Sequence, residues 1–152
     1  MGLKSYKPYT KSTRTTVLVD RKNVWKGSPY KPLTRGKHSS GGRNNLGRIT
    51  SRARGAGHKK RYRIIDFHRN KIDMTGTVDR IEYDPNRSSY IALITYEDKT
   101  KTYIICPRNI KIGDKIVSGT NKEIKVGNCM PLGDIPPGTQ VHNVELNLGA
   151  GG

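Results

Sequence analysis

Eighteen lysines and arginines stand in the first 63 residues against one acid, Asp20, whereas residues 64–152 carry eleven charges of each sign. The whole net charge of +17 therefore belongs to the N-terminal part of the chain. Like charges at that density repel one another in any compact state. The apolar residues that could oppose the repulsion are scattered: Val17, Leu18 and Val19, then Val24 and Trp25, then isolated Leu33, Leu46 and Ile49. So little burial does not offset the entropy of ordering. Residues 1–60 are expected to be an extended arm without regular structure or a core, ordered only along a polyanion. The charge points to nucleic acid, and the folded body has to come from residue 61 onward.

Several chemistries find no support in the remaining residues. Cys106 and Cys129 lack Cys-x-x-Cys spacing and sit in apolar runs, so both are expected to be buried structural thiols in a reducing compartment. No metal, disulfide or cofactor is expected. No apolar run approaches the ~20 residues that span a bilayer, so no membrane partner is expected. The basic, Ser/Thr-containing start resembles a transit peptide in composition, but Pro8 and the lack of an apolar helical face argue against an amphipathic targeting helix. Neither nucleotide-binding glycine motif is present. His38, His58, His68 and His142 lie far apart, His142 reads as a hydrogen-bonded structural residue, and Asp66, Asp79 and Glu82 read as salt-bridge partners of nearby arginines. No catalytic cluster forms, and an enzyme is not expected.

The arm itself is written for phosphate. Lys22, Lys26, Lys31, Arg35 and Lys37 lead into a glycine-rich stretch with Arg43, Arg48, Arg52 and Arg54, and Lys59, Lys60, Arg61, Arg63 and Arg69 close the run. Arginine grips a phosphate as a bidentate fork, lysine as a point charge. Glycines such as Gly41 and Gly42 let the backbone approach a ligand surface. His38, Asn44, Asn45 and His58 add hydrogen bonding to base edges or sugar hydroxyls, while Trp25, Tyr30 and Tyr62 offer stacking faces. An extended chain of this kind suits the irregular grooves of folded RNA better than regular duplex DNA.

From residue 61 the pattern becomes short apolar runs divided by turns. Strands are expected at 62–67, 77–83, 89–96, 101–106 and 115–118, with Asp84-Pro85-Asn86-Arg87 as a type I turn. Five such strands without a helical period indicate an antiparallel barrel of the OB or SH3-like kind over 61–118. Ile64 or Ile65, Val78, Ile81, Ile91, Leu93, Ile104 and Ile116 are its core candidates. A second unit starts after Gly119, where 141–148 alternates as a further strand, with Val144, Leu146 and Leu148 on one face and too few strands to close a barrel.

Four stretches carry a resemblance: Gly-Gly-Arg-Asn-Asn-Leu-Gly-Arg-Ile-Thr at 41–50, Gly-His-Lys-Lys-Arg-Tyr-Arg-Ile-Ile-Asp-Phe-His-Arg-Asn-Lys at 57–71, Arg-Ile-Glu-Tyr-Asp-Pro-Asn-Arg at 80–87, and Ile-Pro-Pro-Gly-Thr-Gln-Val-His-Asn-Val-Glu-Leu at 135–146. Together, and in this order, they resemble the universal large-subunit ribosomal protein L-two family in its bacterial or organellar spelling. The resemblance implies an all-β protein: a basic arm threaded into large-subunit rRNA at 1–60, an OB barrel at 61–118 and the first part of an SH3-like barrel at 119–152. It implies a structural role in the large subunit, in its assembly and in subunit association, beside neighbouring ribosomal proteins. Ala53 and Ala56 stand where the family has His and Gly, and His68 where Lys is usual, which removes any base-specific contact expected at position 53. Family members continue past the equivalent of Gly152, so a second polypeptide carrying the C-terminal part is expected, as in a split organellar gene. The mitochondrial matrix ribosome is the first expected location, with plastid or bacterial cytoplasm as alternatives. The competing function is a free-standing OB-type RNA chaperone or regulator acting off the ribosome.

Overall fold

The computed structural model describes residues 2–55 and 57–152. Expectations touching Met1 and Ala56 lie outside the described residues. The centre of the molecule is one antiparallel sheet of four strands, β5 (Gly76–Glu82), β6 (Ile91–Tyr96), β7 (Lys101–Ile105) and β8 (Lys115–Ile116), in the order β7-β6-β5-β8. The sheet curls into a half-barrel consistent with the OB-type fold. One cause is a register shift between Val78 and Arg80, since an extra residue in one strand bends it and increases its twist. Another is Gly76, where a Cβ would stand 2.6 Å from Ile94 Cγ2 and block the inward turn of β5.

Alternation in β6 sorts the core into two clusters, one on each side of the sheet. Ala92, Ile94 and Tyr96 join Val78, Ile104, Ile110 and Ile116 on the inner face. Ile91 and Leu93 join Tyr103 and Ile65 on the outer face. The expected core residues Val78, Ile91, Leu93, Ile104 and Ile116 are buried, Ile65 is the buried one of its pair, and Ile81 packs at the margin. Cys106 and Cys129 are free thiols at intermediate exposure.

Three expectations need correction. The first strand, expected over 62–67 in an antiparallel barrel, is shortened to β4 (Arg61–Arg63), which pairs antiparallel with β3 (Thr34–Gly36). Beyond it the chain joins the sheet in parallel at single residues, Ile65 with Tyr103 and Ile72 with Ser118. The Asp66 and Asp73 amides donate to the Tyr103 and Ser118 carbonyls at 2.8 Å each, so this segment spans from the β7 edge to the end of β8 and closes the half-barrel.

The arm, in turn, is not without regular structure. It holds a ribbon of β1 (Leu3–Ser5) and β2 (Val17–Val19), the short helix α1 (Lys11–Thr15) with a Thr10 capping box, and a 3-10 turn at Lys31–Leu33. The ribbon and helix bury nothing, as the charge predicts, but Tyr30 and Leu33 pack on the outer core cluster of the body.

Residues 141–148, finally, form no strand. All are exposed, His142 included, and a single pairing of Cys129 with Ser118 is the β contact seen beyond residue 118 among the described residues. An alternating pattern supplies a face but no neighbouring strand to receive its hydrogen bonds.

Candidate nucleic-acid interface

The β3–β4 ribbon sets Arg35 opposite Tyr62 and Gly36 opposite Arg61. Its continuation on both sides encloses a groove of about 700 Å³ lined by Thr34, Arg35, Gly36, Lys37, His58, Lys59, Lys60 and Arg61. Among the described residues none of these five cations has a carboxylate partner. Carboxylates of the barrel are engaged elsewhere: Asp79 with Lys101 at 2.8 Å and Glu82 with Arg80 at 2.7 Å. Asp66 accepts the Arg69 amide at 2.9 Å. Unneutralised cations around a concave surface focus field on whatever anion fits it.

A second cationic element precedes the groove. Arg43 bridges Ile49 across a tight loop closed by bonds from the Asn44 amide to the Arg48 carbonyl and from the Gly47 amide to the Asn44 carbonyl, both at 3.0 Å. Asn44 Oδ1 accepts the Leu46 and Arg48 amides, also at 3.0 Å each. That oxygen is therefore spent on the turn, and the base contact expected of Asn44 falls to its amide nitrogen. Gly42 anchors the loop base by accepting the Thr50 and Ser51 amides. Arg43, Asn45, Arg48, Arg52 and Arg54 are exposed around this frame, as are Lys26, Lys31 and His38 before it. His58 Nδ1 lies 3.0 Å from the Lys59 carbonyl.

Other expected residues are used differently. Lys22 pairs with Asp20 at 3.3 Å. Arg63 is turned inward, donating to the Arg61 carbonyl at 3.0 Å and lying 4.0 Å from the fully buried Asp84. Asp84 is further held by Arg87 at 2.7 Å, and Asn86 donates to the Arg61 carbonyl at 2.6 Å, so the Asp84–Arg87 turn ties β4 to the barrel. Arg69 donates to the Gly127 carbonyl at 3.2 Å. Of the three stacking aromatics, Tyr30 is packed on the body and Tyr62 is part-buried with the Arg87 guanidinium 5.8 Å from its ring. Trp25 stays 49% exposed, with the Arg80 guanidinium 4.7 Å from its ring and its amide donating to the Ile81 carbonyl at 2.8 Å.

Sequence reading missed Arg108, Lys111 and Lys115 around the β7–β8 loop. They are exposed and unpaired among the described residues. The Lys111 amide donates to Asp114 at 2.7 Å, and Ile110 is buried in the inner core, which anchors the loop. Their signal was present: three cations within eight residues of a neutral body, with Asp114 as the single acid among them. It was hidden by the larger charge of the arm.

Among the described residues no group of three or more His, Cys, Asp or Glu is placed to hold a metal ion, and no helix is long and apolar enough to cross a membrane. A family model described as "Ribosomal Proteins L2, RNA binding N-terminal domain" matches residues 30–118. Curated proteins named "Large ribosomal subunit protein uL2" are similar over the whole chain. The one from Pelagibacter ubique is 62% identical over 153 residues, covering 100% of this chain and 54% of that protein. Those from Granulibacter bethesdensis and Rickettsia canadensis are 59% and 58% identical over 152 residues, covering 55% and 56% of their lengths. The chain spans about half the length of the curated relatives it matches.

Proposed function

Because the chain belongs to the ribosomal protein L2 family, matching its RNA-binding N-terminal domain over residues 30–118, we propose that it is a structural constituent of the large ribosomal subunit that binds large-subunit rRNA. The observation that carries this reading is the groove between β3 and β4, where five unpaired cations and His58 line one concave surface on a rigid ribbon. Phosphates are the ligand such a surface fits, and rRNA supplies them in irregular arrays. The loop at 41–51 extends the contact, with Arg43 and Arg48 on a hydrogen-bonded frame. The protein acts by neutralising and positioning RNA, which supports subunit assembly and association. Its chemistry is binding, without a catalytic step.

The remaining partners follow from the same reading. Residues 119–152 are the first part of an SH3-like barrel, and the exposed side chains of Leu132, Val141, Val144, Leu146 and Leu148 are the face on which the rest of that barrel packs. The C-terminal part of the family packs there, beside neighbouring ribosomal proteins. The mitochondrial ribosome is the proposed location, with plastid and bacterial ribosomes as alternatives that organelle fractionation separates. Co-sedimentation tests the function: the chain should remain with the large subunit through moderate salt washes, whereas release into the supernatant with free RNA would favour an RNA chaperone acting off the ribosome. A mass-spectrometric inventory of the purified subunit should contain peptides of the family's C-terminal part, and their absence would remove that packing partner.

A further inference from the structure

We infer that Glu82 and Tyr103 are positioning residues for RNA binding: through a buried relay they latch the arm to the barrel and preset its cationic groove. The inference rests on the rRNA-binding reading and goes beyond it, since neither residue lines the groove.

The arm meets the barrel at several points, among them Arg21 stacked 3.7 Å from the Tyr83 ring and Leu33 on the outer core cluster, and the relay joins two others. At the first, Trp25 forms a parallel bridge with Glu82, on the edge of β5 that two-residue β8 leaves open, and its indole packs against Arg80. At the second, the Tyr30 amide donates to Tyr103 Oη at 2.8 Å. One carboxylate oxygen joins the two: Glu82 Oε1 accepts from Tyr103 Oη at 2.9 Å and from Arg80 Nε at 2.7 Å. The direction of each bond is forced. A backbone amide only donates and an ionised carboxylate only accepts, so the single hydroxyl proton of Tyr103 must go to Glu82. Desolvation by burial pushes the Tyr103 hydroxyl up to about 12, and the charge of Glu82 acts in the same sense, so that proton stays in place.

The relay is also expensive to leave unmade. Glu82 is 3% exposed and Tyr103 fully buried, and a buried carboxylate deprived of a partner destabilises its surroundings. Arm and barrel thus complete one another's hydrogen bonding. Tyr30 leads directly into the 3-10 turn and β3, whose Arg35 and Gly36 form one wall of the groove. Fixing Tyr30 therefore fixes the register of that wall. Cations held in place beforehand lose less freedom on binding, which raises affinity without adding a contact.

Trp25 is the one tryptophan of the chain, so its fluorescence reports the latch directly. The test uses the full chain, a folded fragment of large-subunit rRNA, and affinity measured across a salt series. Tyr103→Phe keeps the ring in the core but removes the hydroxyl. It should weaken binding about tenfold at every salt concentration, the scale of one hydrogen bond to a charged group, and leave the slope of log affinity on log salt unchanged, because every phosphate keeps its cation. Trp25 emission should shift to the red while the barrel's circular dichroism persists. Glu82→Gln, the second variant, should do the same. Arg35→Gln with Lys37→Gln is the control and should flatten the slope. Wild-type affinity in Tyr103→Phe, a flattened slope like the control's, or loss of the barrel signal in both variants would each overturn the latch. A wild-type slope near zero would instead overturn the rRNA-binding reading itself.

Discussion

Gly42 has a φ of +74°, and a Cβ there would stand 2.2 Å from the Ser51 carbonyl oxygen. The left-handed backbone alone costs other residues about 1–2 kcal/mol, and here the clash is with backbone that cannot turn aside. Gly42→Ala is therefore expected to open the loop at 41–51, lowering hydrogen-exchange protection at the Thr50 and Ser51 amides and weakening RNA binding, with the barrel's unfolding midpoint unchanged. Full protection in the variant would contradict this. Cys106 is the other residue whose setting makes a sharp statement. Burial pushes its thiol from the ordinary 9.0 up to about 11. The folded protein thus holds this proton more tightly than the unfolded chain, and the stability it contributes is complete below about 9 and lost as pH rises through about 11. Near pH 8 iodoacetamide should label Cys106 faster once urea unfolds the protein, because the thiolate is the nucleophile; equal rates in native and unfolded protein would refute the upward shift.

Strand β6 has Ile91, Ala92, Leu93 and Ile94 all buried, two on each face. Its place at the centre was readable in the run Ile-Ala-Leu-Ile, since a strand covered on both sides needs no polar alternation. Ile94→Ala should lower the unfolding free energy by roughly 2–5 kcal/mol in urea titrations, whereas Leu146→Ala, on a fully exposed segment, should stay within about 0.5 kcal/mol. Similar costs at the two positions would mean that residues 141–148 are packed against the barrel in solution. The strand expected at 141–148 did not form because alternation alone supplies no partner: β6 has β5 and β7 to bond with, whereas among the described residues no strand lies beside 141–148. The shortening of β4 has a related cause. Ile65 pairs with Tyr103 in parallel, and a parallel contact at the barrel's seam is set by closure, which leaves no mark in a local pattern.

At the scale of the whole molecule the charge is divided by use. Six of the eleven body cations are matched, among them Lys122 with Asp73 at 2.6 Å and Lys125 with Glu123 at 2.7 Å, while among the described residues the arm's cations over 1–60, other than Lys22, have no carboxylate partner. Replacing Lys59 and Lys60 by Gln should flatten the dependence of log RNA affinity on log salt by about 0.9 for each duplex phosphate that is no longer neutralised, or about 0.7 for single-stranded sites. Lys122→Gln with Lys125→Gln should leave it unchanged. A body pair that moved the slope as much as the groove pair would mean that the RNA covers the barrel as well.

Local pattern was enough to read the arm as cationic and mostly exposed, Val78, Ile91, Leu93, Ile104 and Ile116 as core, and the body as β, because charge, period-two burial and turn chemistry act between near neighbours. It also nominated Arg35, Lys37, Lys59, Lys60 and Arg61 as candidates for phosphate contact, but as a string of cations along an unstructured chain. Only the tertiary structure decided that they line one groove, that Arg63 and Arg69 turn inward instead, and that Tyr30 and Trp25 hold the arm to the barrel. Those outcomes depend on pairings between residues 21 to 73 positions apart, such as Arg63 with Asp84, Asn86 with Arg61 and Tyr30 with Tyr103. Contacts at that separation are selected by which buried donors and acceptors remain to be satisfied once the sheet has closed, a condition that belongs to the folded molecule and has no local signature.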